Sequence, residues 1–233
     1  MIETISKTDM MTSVEIRNEE LLEILNGSLD FFKTVPFDMG HNTSQKDVER
    51  REEYCSDEYF NHIKKMWNAH DGFPEMLCGV AFEGGGPPNI KSETPNIAEL
   101  MGNYQDIAYR INEWAGAKRN ALFAVYPPGG YISWHNNANC AAYNVLFTWS
   151  EEGKGRWKHW DPKKKEIVVI EDKPGWQCKM GYYGCYESSA DGREIVYHMA
   201  ETECLRATVA FIFNVDETGK KMAEMLLEEI QTP

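Results

Sequence analysis

Apolar positions in the first half of the chain recur at three- and four-residue steps, whereas after Arg119 they fall into short β-branched and aromatic runs. Leu21, Leu22, Leu25, Leu29 and Phe32 share one helical face, with Asn18 placed to cap it and Glu19 and Glu20 in its first turn. That spacing predicts an amphipathic helix. A second, shorter one is predicted from Asp57, where Tyr59, Phe60, Ile63 and Trp67 form a stripe and Gly72 and Pro74 lie beyond its end. The segment Glu83-Gly-Gly-Gly-Pro-Pro-Asn89 suits neither a helix interior nor a central strand, and reads as a connector, with a lid over a site mouth as the alternative. Thr94-Pro95 opens the longest periodic stretch, in which Ile97, Leu100, Met101, Tyr104, Ile107, Ala108, Ile111 and Trp114 follow one face up to Gly116.

The second half predicts about eight strands, at 121–126, 131–134, 143–149, 155–160, 166–170, 179–183, 194–198 and 207–213, spaced as in a sandwich or barrel. Asp216 then caps a closing helix with Met222, Met225, Leu226 and Ile230 on one side. A length of 233 residues suits one sizeable core. The expected fold class is therefore α+β in a single domain over 1–233. A mainly helical layer over 1–118 precedes an all-β core over 119–214 and a C-terminal helix over 215–233.

Composition narrows the function. The chain is 42% hydrophobic and 12% aromatic, which excludes a disordered or low-complexity class. Its net charge of -13 argues against a nucleic-acid partner, because such affinity comes from Lys and Arg displacing condensed counterions. The run Lys163-Lys164-Lys165 follows Asp161-Pro162 and reads as a solvated hairpin turn. Cysteines at 55, 78, 140, 178, 185 and 204 form no Cys-x-x-Cys pair, so zinc-ribbon and dithiol redox chemistry lack support. The first residues lack a secretory pattern, and no stretch reaches the ~20 apolar residues of a membrane span. A cytoplasmic protein with free thiols and no membrane partner is expected.

Candidate chemistry gathers in Tyr126-Pro-Pro-Gly-Gly-Tyr-Ile-Ser-Trp-His135-Asn-Asn137, in Val196-Tyr197-His198 and in Arg206. Two imidazoles from separate strands, with an oxygen donor two residues after the first, suit the facial arrangement that leaves open positions on Fe(II). Each residue also has a plainer reading. A histidine on an aromatic-rich strand can be a hydrogen-bonded core side chain, and Asn137 within His-Asn-Asn-Ala-Asn can be a turn residue. His159 alternates with polar neighbours and is expected to face outward, while His41, His62 and His70 have no partner at ligand spacing. Gly-x-Ser-x-Gly, His-Glu-x-x-His and Gly-x-Gly-x-x-Gly do not occur, which weakens hydrolase and nicotinamide readings.

The order Tyr-x-x-Gly, His-x-Asn, distant His and following Arg over 119–214 resembles the prolyl-4-hydroxylase-like 2-oxoglutarate/Fe(II) oxygenases. Gly175-Trp-Gln-Cys-Lys-Met-Gly-Tyr182 and Tyr143-Asn-Val-Leu-Phe-Thr-Trp-Ser150 are similar to phrases in members found in bacteriophage genomes. The resemblance implies a double-stranded β-helix, a jelly-roll or cupin-like barrel, buttressed by the N-terminal helices. It implies Fe(II) held by His135, Asn137 and His198, and 2-oxoglutarate gripped by Arg206 with Tyr126, Tyr143 and Asn144 as further contacts. The implied activity is dioxygen-dependent hydroxylation of a small-molecule or peptide substrate. Asn137 departs from the family's aspartate and brings no negative charge, which leaves three outcomes: direct ligation, a two-histidine site, or loss of catalysis. The alternatives are an inactive jelly-roll binding or structural protein, and a cupin-like metal enzyme that does not use 2-oxoglutarate.

Overall fold

The computed structural model describes residues 11–66, 71–84, 88–137, 140–185 and 195–233. Its strands are β1 (Thr12–Val14), β2 (Leu77–Cys78), β3 (Val80–Glu83), β4 (Arg119–Tyr126), β5 (Tyr131–His135), β6 (Ala142–Ser150), β7 (Gly155–Asp161), β8 (Glu166–Glu171), β9 (Gly175–Tyr183), β10 (His198–Thr202) and β11 (Arg206–Phe213). Its helices are α1 (Glu19–Asn26), α2 (Leu29–Thr34), α3 (Gln45–Glu49), α4 (Arg51–Tyr54), α5 (Asp57–Met66), α6 (Ile97–Ala115) and α7 (Glu217–Gln231). The strands form a six-stranded sheet in the order β1-β9-β6-β11-β4-β3 and a five-stranded sheet in the order β2-β5-β10-β7-β8. All pairings are antiparallel.

Three apolar clusters define the layers. Phe123, Val125, Val145, Phe147, Val209 and Phe211 point from one face of the larger sheet onto Leu25 and Phe32, Ile107 and Ile111, and Leu226 and Ile230, which explains the stripes on α1, α2 and α6. α7 buries Ala223, Leu226, Leu227 and Ile230, while Met222 and Met225 of its expected stripe are exposed. The opposite face contributes Ala124, Tyr126, Leu146 and Ala210, which meet Ile132, Trp157 and Ala200 of the smaller sheet in an interior between the sheets. The outer face of the smaller sheet, with Tyr131, Trp134 and Met199, is covered by Tyr54, Phe60 and Ile63 of α4 and α5.

Several elements differ from the sequence reading. The helix expected to run through Phe32 breaks at Gly27-Ser28, where Ser28 Oγ donates back to the Leu25 carbonyl at 2.5 Å and diverts the chain into α2. Asn18 caps α1 as expected, its Oδ1 accepting from Leu21 N at 2.9 Å. The mainly helical layer over 1–118 also supplies β1, β2 and β3, short strands whose hydrogen bonds only the later strands complete. The strand expected at 194–198 begins instead at His198: the Tyr197 carbonyl accepts from Trp160 N and the Val196 carbonyl engages the His198 ring. Glu194, Trp67, His70 and the stretch 85–87 lie outside the described residues. Asp216 caps α7 through Gly219 N at 2.8 Å, and Gly116 ends α6 in the left-handed conformation at φ 62°, both as read from sequence. Among the described residues no helix is long and apolar enough to cross a membrane.

Candidate metal and anion site

His135 closes β5 and His198 opens β10, and the two are direct partners across the strand pair. A bulge brings this about. Between Ile132 and His135 β5 spends three residue steps while β10 spends two, from Ala200 to His198. The extra residue lets both Ile132 and His135 face the interior although their spacing is odd. The ring centroids of His135 and His198 lie 4.1 Å apart.

Both rings are oriented in the same way. His135 Nδ1 lies 2.7 Å from the Ser133 carbonyl and His198 Nδ1 lies 2.8 Å from the Val196 carbonyl. A carbonyl only accepts, so each Nδ1 carries the proton and each lone pair sits on Nε2. Burial, and then the neighbouring His135, hold His198 well below its ordinary pKa, while the Val196 carbonyl works in the opposite direction. A neutral imidazole is the form that ligates metals. Tyr183 and Trp157 pack against the His198 ring at centroid distances of 4.8 and 5.8 Å.

The two histidines line a cavity of about 110 Å³ together with Asn137, Asn144, Leu146 and Ile212. Asn137 adopts the left-handed conformation at φ 61°, a region in which asparagine is well tolerated, and its N–H donates to the Gly72 carbonyl at 2.8 Å. It is thus a turn residue that also borders the cavity. Among the described residues no cluster of three His, Cys, Asp or Glu side chains is placed to hold a metal ion. Among the described residues Asn137 brings an amide to the wall beside the imidazole pair, and Cys140 and Tyr183 line the same cavity.

Arg206 lies deeper on the inward face of β11, four residues before the cavity-lining Ala210 and two before Thr208. Its Nε donates to Asp172 Oδ2 at 2.7 Å and its Nη1 to Thr208 Oγ1 at 2.8 Å. Asp172 is shared with Lys179, whose Nζ stands 3.4 Å from Oδ1. Burial alone would raise the Asp172 carboxyl, but the Arg206 and Lys179 charges bring it below its usual range. Burial lowers Lys179 to about 8 against the opposing pull of Asp172. Tyr126 stacks beneath the guanidinium, with 5.7 Å from Cζ to the ring centroid, and burial pushes its phenol up to about 12.

Tyr143, read as a cosubstrate contact, is not brought to the site. It alternates with Asn144 along β6 and so falls on the other face, packed against Tyr182 in the cluster beneath the helices. Asn144 does line the cavity, with its Nδ2 donating to the Ala142 carbonyl at 3.0 Å. His159, expected to face outward, is 3% exposed and sits beside His198 across β7 and β10. Its inward partner in the alternation is Trp157, so the polar neighbours Lys158 and Arg156 mark the outer face and His159 the inner one. Asp172 and Lys179 belong to no catalytic or metal-ligating motif in the sequence. Lys179 alternates with Tyr183 on β9, and that period-2 signal could have flagged it. Asp172 reads as an ordinary strand-end residue before Lys173-Pro174.

The chemistry of these groups fits an Fe(II)–dicarboxylate site. Two neutral imidazoles suit a borderline divalent ion. Among the described residues the buried Tyr126 and Tyr183 hydroxyls and Thr148 Oγ1 have no hydrogen-bond partner, and Tyr126, against the guanidinium, and Thr148, opposite Thr208, offer donors to an oxyanion beside Arg206.

No protein-family model matches the chain, and no curated protein matches it in sequence. Structural similarity is found to YcfD, a ribosomal oxygenase from Escherichia coli, at 16% identity over 54% of this chain and 30% of that one, with a TM-score of 0.29. The chain thus spans less than a third of that protein. It is also found to the rice dioxygenase for auxin oxidation, at 14% identity over 83% and 69% of the two chains and a TM-score of 0.33. The viral collagen prolyl hydroxylase from Paramecium Bursaria Chlorella virus-1, in its 2OG complex, gives 12% identity over 68% and 90%, with a TM-score of 0.29.

Proposed function

We propose that this protein is an Fe(II)- and 2-oxoglutarate-dependent oxygenase, a hydroxylase of a small molecule or peptide, folded as a double-stranded β-helix in one domain. The observation that carries the reading is the imidazole pair: His135 and His198 with ring centroids 4.1 Å apart, each with Nδ1 fixed by a main-chain carbonyl. In this reading Nε2 of both rings and the Asn137 amide oxygen hold the iron, and Arg206 grips the distal carboxylate of 2-oxoglutarate. When bound, the iron and cosubstrate supply the oxidation, in which 2-oxoglutarate, dioxygen and substrate yield succinate, carbon dioxide and the hydroxylated product. The chain's own contribution is positioning and exclusion of water. Ser133 and Val196 carbonyls fix the ring tautomers, as outer partners of metal-bound histidines do. Tyr183 and Trp157 shield the His198 ring, and the cavity walls Leu146, Ala210 and Ile212 are apolar.

The test is anaerobic addition of Fe(II) and 2-oxoglutarate, read as a weak visible charge-transfer band, followed by exposure to dioxygen and quantification of succinate. Band and succinate are expected from the wild-type chain and neither from His135→Ala or His198→Ala. If the wild type gives neither, the reading is wrong and a barrel used for binding takes its place. If the wild type is active and Arg206→Ala is equally so, the metal enzyme does not use 2-oxoglutarate.

A further inference from the structure

Arg206 does not meet the barrel interior alone. Asp172 bridges it to Lys179, and the three side chains are 3%, 0% and 1% exposed for Arg206, Asp172 and Lys179 respectively. Among the described residues two cations stand against one carboxylate, which leaves one positive charge uncompensated on nearly fully buried side chains. A buried charge in that condition is costly until an anion joins it. Among the described residues the hydroxyls of Tyr126, against Arg206, and Thr148, opposite Thr208, have no hydrogen-bond partner and want an acceptor. The backbone makes room for the arrangement at Gly155, where a Cβ would stand 2.5 Å from Asp172 Oδ2 and 3.1 Å from Thr202 Oγ1.

We propose that Asp172 and Lys179 complete, with Arg206, a monocationic floor to the barrel interior that takes one carboxylate of a dicarboxylate. The inference rests on the oxygenase reading for the identity of that dicarboxylate. Lys179 donates directly to the incoming carboxylate. Asp172 is a positioning residue: through Oδ2 it fixes the Nε edge of the guanidinium, and through Oδ1 it anchors the ammonium. One carboxylate entering the floor brings the local charge to zero and supplies acceptor oxygens to the hydroxyls.

The charge count can be tested without turnover. The full chain, without added metal, is titrated with 2-oxoglutarate, succinate and inorganic phosphate, and the midpoint of thermal unfolding is followed. The wild type should be stabilised by both dicarboxylates. Lys179→Met leaves a neutral Arg206–Asp172 pair, and its half-saturating concentration should rise about tenfold or more, the scale of one lost charge-assisted hydrogen bond. Asp172→Asn/Lys179→Met restores a single positive charge and should regain a dicarboxylate response, which a purely structural role for either residue would not produce. The floor is refuted if dicarboxylates leave the wild type unshifted, if Lys179→Met responds as the wild type does, or if the double variant stays unresponsive while circular dichroism shows it folded. Stabilisation by dicarboxylates with no Fe(II)–2-oxoglutarate band would keep the floor and remove the oxygenase reading. A band whose 2-oxoglutarate dependence is unchanged in Lys179→Met would do the reverse. Stabilisation by phosphate alone would refute the assignment to dicarboxylates.

Discussion

Replacing Asn137 by Asp tests whether that position touches the metal, and it does so without disturbing the backbone. The residue sits at φ 61°, where Asp is tolerated almost as well as Asn, and the hydrogen bond from its N–H to Gly72 does not depend on the side chain. The change swaps a neutral amide for a carboxylate on the wall that His135 and His198 share. Two unit charges about 4 Å apart at an effective dielectric of about 20 attract by about 4 kcal/mol, and a dication doubles that. Dehydration of the buried carboxylate offsets most of the gain. The net expectation is a rise in Fe(II) affinity of about 10- to 100-fold, or about 1.4 to 2.8 kcal/mol. Isothermal titration under anaerobic conditions, with Co(II) as an air-stable comparison, measures it directly. If His135→Ala abolishes binding while Asn137→Asp leaves the affinity unchanged, Asn137 is a turn residue and the site is a two-histidine one.

Other expectations follow from the same geometry. Lys179, lowered to about 8, loses its proton in the folded chain well before the unfolded chain does at about 10.4. The unfolded state then binds more protons between those values, so stability without ligand should rise with pH across that window. Over the same range the floor, formed by Lys179 with Asp172 and Arg206, loses its net charge, so stabilisation by succinate should fade. Thermal midpoints from about pH 7 to 10 check both, and a pH-independent succinate shift would contradict the charge argument. Gly155→Ala drives a methyl onto Asp172 and should cost about 1 to 3 kcal/mol in urea unfolding while weakening the dicarboxylate response. Phe123→Ala removes a fully buried ring packed on Phe32, Phe82 and Tyr104, and should cost about 3 to 5 kcal/mol by denaturant titration.

The sequence by itself determined the division into helices and strands wherever period and punctuation agreed. α6 follows from a stripe ended by Gly116 and α7 from a helix capped by Asp216, although α7 buries Ala223, Leu226, Leu227 and Ile230 and leaves Met222 and Met225 exposed. The strands β4 to β8 and β11 follow from alternating or fully apolar runs between turn residues, while β9 begins at Gly175, four residues before the expected run. His135, His198 and Arg206 stood out by residue type and order alone. Residue type does not specify the face or the partner, and those were decided by the tertiary structure. β2 and β3 are two and four residues long and exist only because β5 and β4 offer edges to pair with. His135 faces inward because a bulge against β10 resets the alternation, an event that depends on both strands at once. Tyr143 and Asn144 were read together, yet the pleat sends one to the helical core and the other to the cavity. His159 faces inward against the sequence expectation for the same reason, since a period of two gives two faces and only the partner sheet says which is inside. Asp172 follows the end of β8 and Lys179 lies within β9, and they became visible as a pair only when folding left two cations to share one buried carboxylate with Arg206.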